Sequence, residues 1–321
     1  MAVAKRTSLA LPVAPPYDFR RSVEYFDQFA PAAGGTARHR DAVVTGGFAP
    51  EPFVARLRAD ESGLVHARVE WIEEPGDGSA VAERLDSFLS LSDDLSPLYD
   101  AAASDPAFAR AVADLYGYHH VRFPTPFEAA CWAVLSRRTP TLTALRRKRS
   151  LAESAGRVVS VDGLRPPRRP ASGDVEESPL RLFPTPERVA AASDAVRETL
   201  DDDPARAVLG AAAAFESEDL SALSSRSLVA RLCEIRGFDP RSATFVARRG
   251  FGRTSLLPVR ERRLRTAVAD LYGLDDATDD DIVRLSDPYG DSRGYWAHYV
   301  RAWASLRGDG GGGDGGRDGD D

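Results

Sequence analysis

The feature that most limits what this chain can fold into is a change of hydrophobic period near residue 96. Before it, Ala42–Phe48, Phe53–Leu57 and Leu64–Ile72 read as strands, divided by Gly-containing turns at Gly46-Gly47 and Pro75–Gly78. A helix at Phe19–Phe29 precedes them and another at Val81–Ser90 follows. From Pro97 onward strands vanish. Helical spacing then runs through Phe108–Leu115, Phe127–Leu135, Thr141–Ala155, Arg188–Leu200, Ala205–Phe215, Leu228–Ile235, Ser242–Arg249, Arg262–Tyr272, Asp279–Leu285 and Tyr295–Leu306. The fold class is therefore α+β, a small mixed N-terminal module followed by an all-α domain. The expected division is a flexible N-terminus at 1–13, the module at 14–95 and the helical domain at 96–307. A surface insertion at about 164–178 and a disordered Gly/Asp tail at 308–321 complete it.

Helix starts are well signalled. Thr125-Pro126-Phe127-Glu128 places Thr at the N-cap, Pro at the first position and Glu at the third, the pattern of a capping box. Thr185-Pro186-Glu187 repeats the Thr-Pro start. No run approaches the ~18 apolar residues of a membrane span, and Met1–Pro16 lacks a signal-peptide core, so a cytoplasmic protein is expected. The two cysteines, Cys131 and Cys233, cannot build a disulfide scaffold or a cysteine-rich zinc site. None of the five histidines forms a metalloprotease-like pair.

Charge is informative by position. The 321 residues carry −7, but five Asp against Arg317 put −4 of it in the tail. Arg226–Arg265 holds 11 Arg against Glu234, Asp239 and Glu261, a local +8. Ala129–Ser150 holds Arg137, Arg138, Arg146, Arg147, Lys148 and Arg149 with no acid, a local +6. Two basic segments inside an acidic chain fit a polyanion-binding face; solvated helix faces are the alternative.

The most telling stretch is Leu232–Phe245. It reads as helix, tight turn at Gly237-Phe238-Asp239-Pro240, then a second helix opening at Pro240–Ser242. The amides at such a helix start bind a phosphate oxygen without reading sequence. Shortly after, Pro258–Val268 sets one acid, Glu261, among arginines at the head of another helix.

Ile235–Ala243 resembles the helix-hairpin-helix signature of base-excision DNA glycosylases, and Pro258–Gly273 resembles their segment bearing the catalytic aspartate. The DNA-3-methyladenine glycosylase II type is the most similar. Pro16–Phe19, Leu91–Asp94, Phe123–Glu128, Phe183–Glu187 and Arg293–Tyr295 match in order, so the resemblance spans about 14–306. It implies flipping of a damaged base out of duplex DNA and a carboxylate that stabilises an oxocarbenium-like sugar. That carboxylate is Glu261, where relatives have aspartate; Asp239 stands at the hairpin's second glycine and Arg241 at a common tryptophan. DNA contacts are expected from Gly237, Phe238, Asp239, Arg241, Ser242, Arg137, Arg138 and Arg260, and base-pocket contacts from Phe245, Tyr289, Tyr295 and Trp132. Trp296 is read as core and His119-His120 as loop or core.

Strand-cutting relatives use a lysine at the start of the second hairpin helix. Arg241-Ser242 stands there, and the only lysines are Lys5 and Lys148, so the resemblance implies a monofunctional glycosylase of alkylated purines. No cofactor is implied beyond a monovalent cation at the hairpin. The expected partner is damaged duplex DNA, bound by a monomer away from membranes. Two alternatives remain at this point: a DNA-binding or damage-sensing paralogue without activity, and a protein-interaction scaffold with a solvated basic face.

Overall fold

The structure is a computed structural model and describes residues 6–26, 36–39, 42–160 and 179–308. The proposed insertion at 164–178 and the tail beyond 308 lie outside the described residues. The N-terminal part is an antiparallel sheet in the order β1-β5-β4-β3-β2. Its strands are β1 (Arg6–Leu11), β2 (Thr36–His39), β3 (Ala42–Ala49), β4 (Glu51–Ala59) and β5 (Val65–Trp71). The α1 helix (Phe19–Phe26) and α2 (Gly78–Leu89) cover one face. There Phe19, Val23, Val81, Leu85 and Phe88 pack on Phe53, Leu57, Val65 and Val69.

Three expectations for this part need correction. Arg6–Leu11 is not a flexible lead but the strand that pairs with β5, burying Leu11, so the module starts by Arg6 rather than residue 14. Gly46 and Gly47 are not a turn but lie within β3. Strands also do not end at Pro97. The three-residue strands β6 (Arg157–Val159) and β7 (Leu180–Leu182) pair antiparallel, too short to show a period. Leu180 and Leu182 close the second face of the sheet against Val44, Phe48 and Val54. A Cβ at Gly46 would fall 2.9 Å from the Phe53 carbonyl oxygen as well as against Leu182 and Leu180 of β7, so the position requires glycine.

The helical part is built on two hydrophobic cores. The first joins α5 (Pro126–Leu135), α6 (Thr141–Ser154), α7 (Pro186–Ala191), α8 (Ser193–Thr199), α9 (Asp202–Ser217), α10 (Ser225–Glu234) and α11 (Pro240–Arg249). The second joins α3 (Ser96–Ala102), α4 (Pro106–Leu115), α12 (Arg262–Tyr272), α13 (Asp279–Ser286) and α14 (Arg293–Gly308). The helix expected over Arg188–Leu200 is broken at Ala192 into α7 and α8, and Val189 and Val196 both reach the first core.

Thr125 caps α5 as its sequence requires, accepting from the Glu128 amide at 3.1 Å. Glu128 does not complete a capping box. Its carboxylate turns inward to Lys148 Nζ at 2.7 Å, an ion pair with side chains 2% and 5% exposed. Among the described residues no helix is long and apolar enough to cross a membrane.

Candidate nucleic-acid and catalytic site

The hairpin between α10 and α11 shows why its residues are what they are. Gly237 has φ +96°, and a Cβ there would lie 2.6 Å from Ala207 Cβ on α9. Both facts demand glycine. Asp239, read as the second glycine, needs no left-handed backbone: its φ is −125° and it is the N-cap of α11. Asp239 Oδ1 accepts from the Ser242 amide at 2.8 Å, while Ser242 Oγ accepts from the Asp239 amide at 2.8 Å, a full capping box. Burial alone would raise the Asp239 carboxyl, but the Ser242 hydrogen bonds and the Arg137 charge hold it below the ordinary range.

This corrects the picture of open amides at the helix start. Pro240 has no amide hydrogen, and Asp239 occupies those of Arg241 and Ser242. Phe238 is 8% exposed and belongs to the first core, so it offers DNA only its backbone. For a cation held by turn carbonyls, Ile235 O already accepts from the Phe238 amide at 3.2 Å, and the Asp239 carboxylate is turned into its own helix.

Around the hairpin the fold collects charges distant in sequence. Arg137, Arg138, Arg241 and Arg260 are exposed. Arg137 acts on Asp239, and Arg241 acts on Glu261. Elsewhere the basic segments are less free than their sums suggest. Arg231 pairs with Glu218 and Glu234, Arg236 with Asp203, Arg265 with Asp279, and Arg147 with Asp201. Arg253 donates to the carbonyls of Ser221 and Leu223. Acids supplied by other elements neutralise what a linear count leaves positive.

Glu261 is the N-cap of α12 but does not cap it; its side chain, 24% exposed, accepts from Arg301 Nη1 at 2.6 Å. Burial pushes its acid up, but Arg301 and Arg248, then Arg241, outweigh that and hold it below the ordinary glutamate range. Arg248 and Arg249 end α11 at 6% and 8% exposure. Arg249 donates to His120 Nε2, and the His120 and His298 rings stand 4.0 Å apart. Burial and the surrounding guanidiniums push both histidines well below their usual range, so they are neutral. His298 Nε2 is 2.7 Å from the Tyr118 hydroxyl. Beside them Arg122 donates to both oxygens of Asp93 at 2.7 and 2.6 Å.

The four expected pocket aromatics separate. Phe245 and Trp132 share a cluster with Phe123, Phe245 standing edge-on to Phe123 at 5.9 Å. Tyr295 is buried, donating to Asp93 Oδ2 at 2.6 Å and standing edge-on to His120 at 6.2 Å. Tyr289 is elsewhere: it donates to Asp105 Oδ2 at 2.9 Å and stacks on Trp296 in the second core. A flipped base would have to displace core packing to reach it, so it is withdrawn from the pocket. His119 is core, its Nδ1 2.6 Å from the Ser90 carbonyl oxygen.

No protein-family model matches the chain. Among curated proteins, the DNA-3-methyladenine glycosylase of Bacillus subtilis (strain 168) is 23% identical over 234 residues, spanning 70% of this chain and 72% of that protein. Among solved structures, MBOgg1 in complex with a low-affinity DNA ligand superposes with TM-score 0.68 at 15% identity, covering 96% of this chain and 98% of that one. The 3-methyladenine DNA glycosylase from Archaeoglobus fulgidus superposes with TM-score 0.72 at 16% identity, covering 94% of this chain and 98% of that one. The chain thus shares the fold of MBOgg1 and of the Archaeoglobus fulgidus glycosylase.

Within that fold, sequence reasoning counted Arg248 and Arg249 only as part of the Arg226–Arg265 basic segment, gave Arg301 and His298 no role, and left His120 as loop or core. Arg248 and Arg249 look like ordinary basic residues in a last helical turn, where they favour the helix dipole. Arg301 is 40 positions from the Glu261 it binds, and no local pattern joins them.

Proposed function

We propose that the protein is a monofunctional DNA glycosylase that hydrolyses the N-glycosidic bond of damaged purines, alkylated ones included, in duplex DNA. It would act as a cytoplasmic monomer. The observation that carries this reading is one ionised, partly exposed carboxylate, Glu261, set beside the hairpin and its exposed arginines. The names of the relatives agree with it. In this reading Arg137, Arg138, Arg241 and Arg260 hold the DNA backbone, and the Gly237 turn fixes the register. The target nucleotide is flipped out, with Phe245 and Trp132 as stacking faces. Glu261 faces the sugar as the bond to the base lengthens and positive charge develops at C1′; an ionised carboxylate stabilises that charge and orients the attacking water. Arg301 fixes the longer glutamate side chain in place of the relatives' aspartate. Lys148, sealed against Glu128, is in no position to form a Schiff base at the hairpin.

The test is single-turnover base release from lesion-bearing duplexes by wild type and Glu261→Gln. Loss of about 10²-fold or more in release, with duplex affinity unchanged, is the expected result. Undiminished release by the variant would refute the assignment of Glu261. A second reading, DNA binding without bond cleavage, is favoured by the ion pair that already occupies Glu261; it predicts tight duplex binding and no release by wild type.

A further inference from the structure

Resting on the glycosylase reading, we infer that the pocket selects uncharged purine lesions that present hydrogen-bond acceptors, and that Arg248 is the residue that selects them. Arg248 is 6% exposed, yet among the described residues it makes no hydrogen bond and no ion pair. Each of its neighbouring guanidiniums has at least one acceptor in the fold. Arg249 donates to His120, Arg301 to Glu261, Arg122 to Asp93 and Arg253 to two carbonyls. The Arg248 guanidinium nitrogens are not among the polar atoms sealed from solvent, so its donors open onto the site, where an acceptor on a ligand can reach them.

Among the groups that face Arg248, none accepts a hydrogen bond from it. From its own helix comes Arg249, from α14 Arg301 and His298, from the loop crossing beneath it His120, and from the head of α12 Glu261. Glu261 is the one acid among them, and Arg301 already holds it at 2.6 Å. Three guanidiniums, Arg301, Arg248 and Arg241, thus act on one carboxylate, while the histidines stay uncharged. Arg248 thus keeps donors that a ligand entering the site can engage.

Position indicates what that ligand is. Phe245 lies three residues before Arg248 on α11 and therefore on the same face, with Phe123 and Trp132 packed around it. A purine stacked there would present its edge to the Arg248 fork, and a guanidinium binds the O6 and N7 acceptors of a purine edge in bidentate fashion. A cationic base such as 7-methylguanine has N7 blocked and enters against a net positive site. An uncharged base such as hypoxanthine meets neither obstacle.

The chemistry separates the classes in the same direction. When the C1′–N9 bond breaks, its electron pair leaves with the purine, and water forms the new C1′–O bond while losing a proton to solvent. A cationic purine departs neutral without help. An uncharged purine departs carrying negative charge until it takes a proton from solvent, and Arg248 stabilises it at that moment.

The experiment compares single-turnover release of hypoxanthine and 7-methylguanine from otherwise identical duplexes by wild type, Arg248→Met and Arg248→Lys. Each wild-type rate is divided by the spontaneous loss of that base. Wild type is expected to accelerate hypoxanthine release more. Arg248→Met should lower hypoxanthine release by about 10²-fold and 7-methylguanine release by less than about 3-fold. Should the methionine variant not fold, Arg248→Lys keeps the charge but loses the fork, and a hypoxanthine-selective loss of about 10-fold is expected. Equal loss on both bases, or greater wild-type acceleration of 7-methylguanine, overturns the inference and leaves the glycosylase reading standing. Release of neither base by wild type overturns both.

Discussion

A carboxylate held between guanidiniums titrates differently from one in water, and Glu261 carries that consequence into activity. Its acid form is disfavoured by Arg301, Arg248 and Arg241 despite the opposing effect of burial. Because the folded value lies below the ordinary glutamate value of 4.5, Glu261 stays ionised as pH falls through that value. The acid limb of single-turnover release should therefore lie below pH 4.5, provided the fold survives there. Arg301→Met should move that limb upward and lower the plateau, since it removes both the charge and the 2.6 Å tether. A limb unchanged by the substitution would count against Arg301 as the positioning residue. Arg248 sits in the same field: burial first, then Arg301 and Arg249, push it down to about 9, which leaves it charged at neutral pH.

At the scale of elements, the joint between α5 and α6 depends on one ion pair in an apolar setting. Glu128 and Lys148 meet at 2.7 Å, and Lys148 Nζ also lies over the Phe123 and Phe183 rings at 5.9 and 5.7 Å. Removing one partner leaves the other charge buried, a loss that typically costs about 3–5 kcal/mol. Lys148→Met should therefore destabilise strongly in urea denaturation, and Glu128→Gln added to it should recover most of the loss. If the double variant were as unstable as the single, the pair would be holding the helices by more than its charge balance. The capping pattern at Thr125–Glu128 shows how far local sequence reaches here. Threonine's half of the box is made, because it needs only the amide three residues ahead. Glutamate's half is lost to a lysine on another helix, which no window around Glu128 contains. At the hairpin the reverse holds: Asp239 and Ser242 complete a box within four residues, although sequence similarity had assigned Asp239 to a glycine's place.

At the scale of the whole molecule, the candidate site lies where the two helical cores meet. The first core contributes the ends of α11, the second the head of α12 and the face of α14, and loop residues 118–123 cross between them. The Phe123 amide donates to Arg249 O at 2.9 Å, and the Arg122 amide to Phe88 O at 2.8 Å, so this loop ties both cores to the sheet module. The neutral His120–His298 pair sits in that joint and sets a pH dependence of stability. Both folded values lie well below the ordinary 6.5, so below that pH the unfolded chain binds protons that the folded chain does not. Stability should fall as pH drops through 6.5, by up to about 1.4 kcal/mol per pH unit for each histidine. Urea denaturation at several pH values down to 5 would check this, with His298→Phe flattening the slope. Constant stability over that window would mean that the histidines are charged in the fold.

By itself, the sequence determined most of the helices and the strands β3, β4 and β5, where most helices begin, and which turn makes the hairpin. Those features rest on hydrophobic period, capping and glycine, all of which act within a few residues. The short strands β6 and β7 escaped because three residues carry no period, and β1 because its partner is about sixty residues away. The resemblance pointed to Glu261 and to Phe245. Only the tertiary structure decided that Glu261 meets Arg301, that two histidines are held neutral, and that Arg248 is buried without a partner among the described residues. Charge acts through space, and burial is a property of the packed whole; a linear count of arginines records neither the acids that pair with several of them nor the few left facing a pocket.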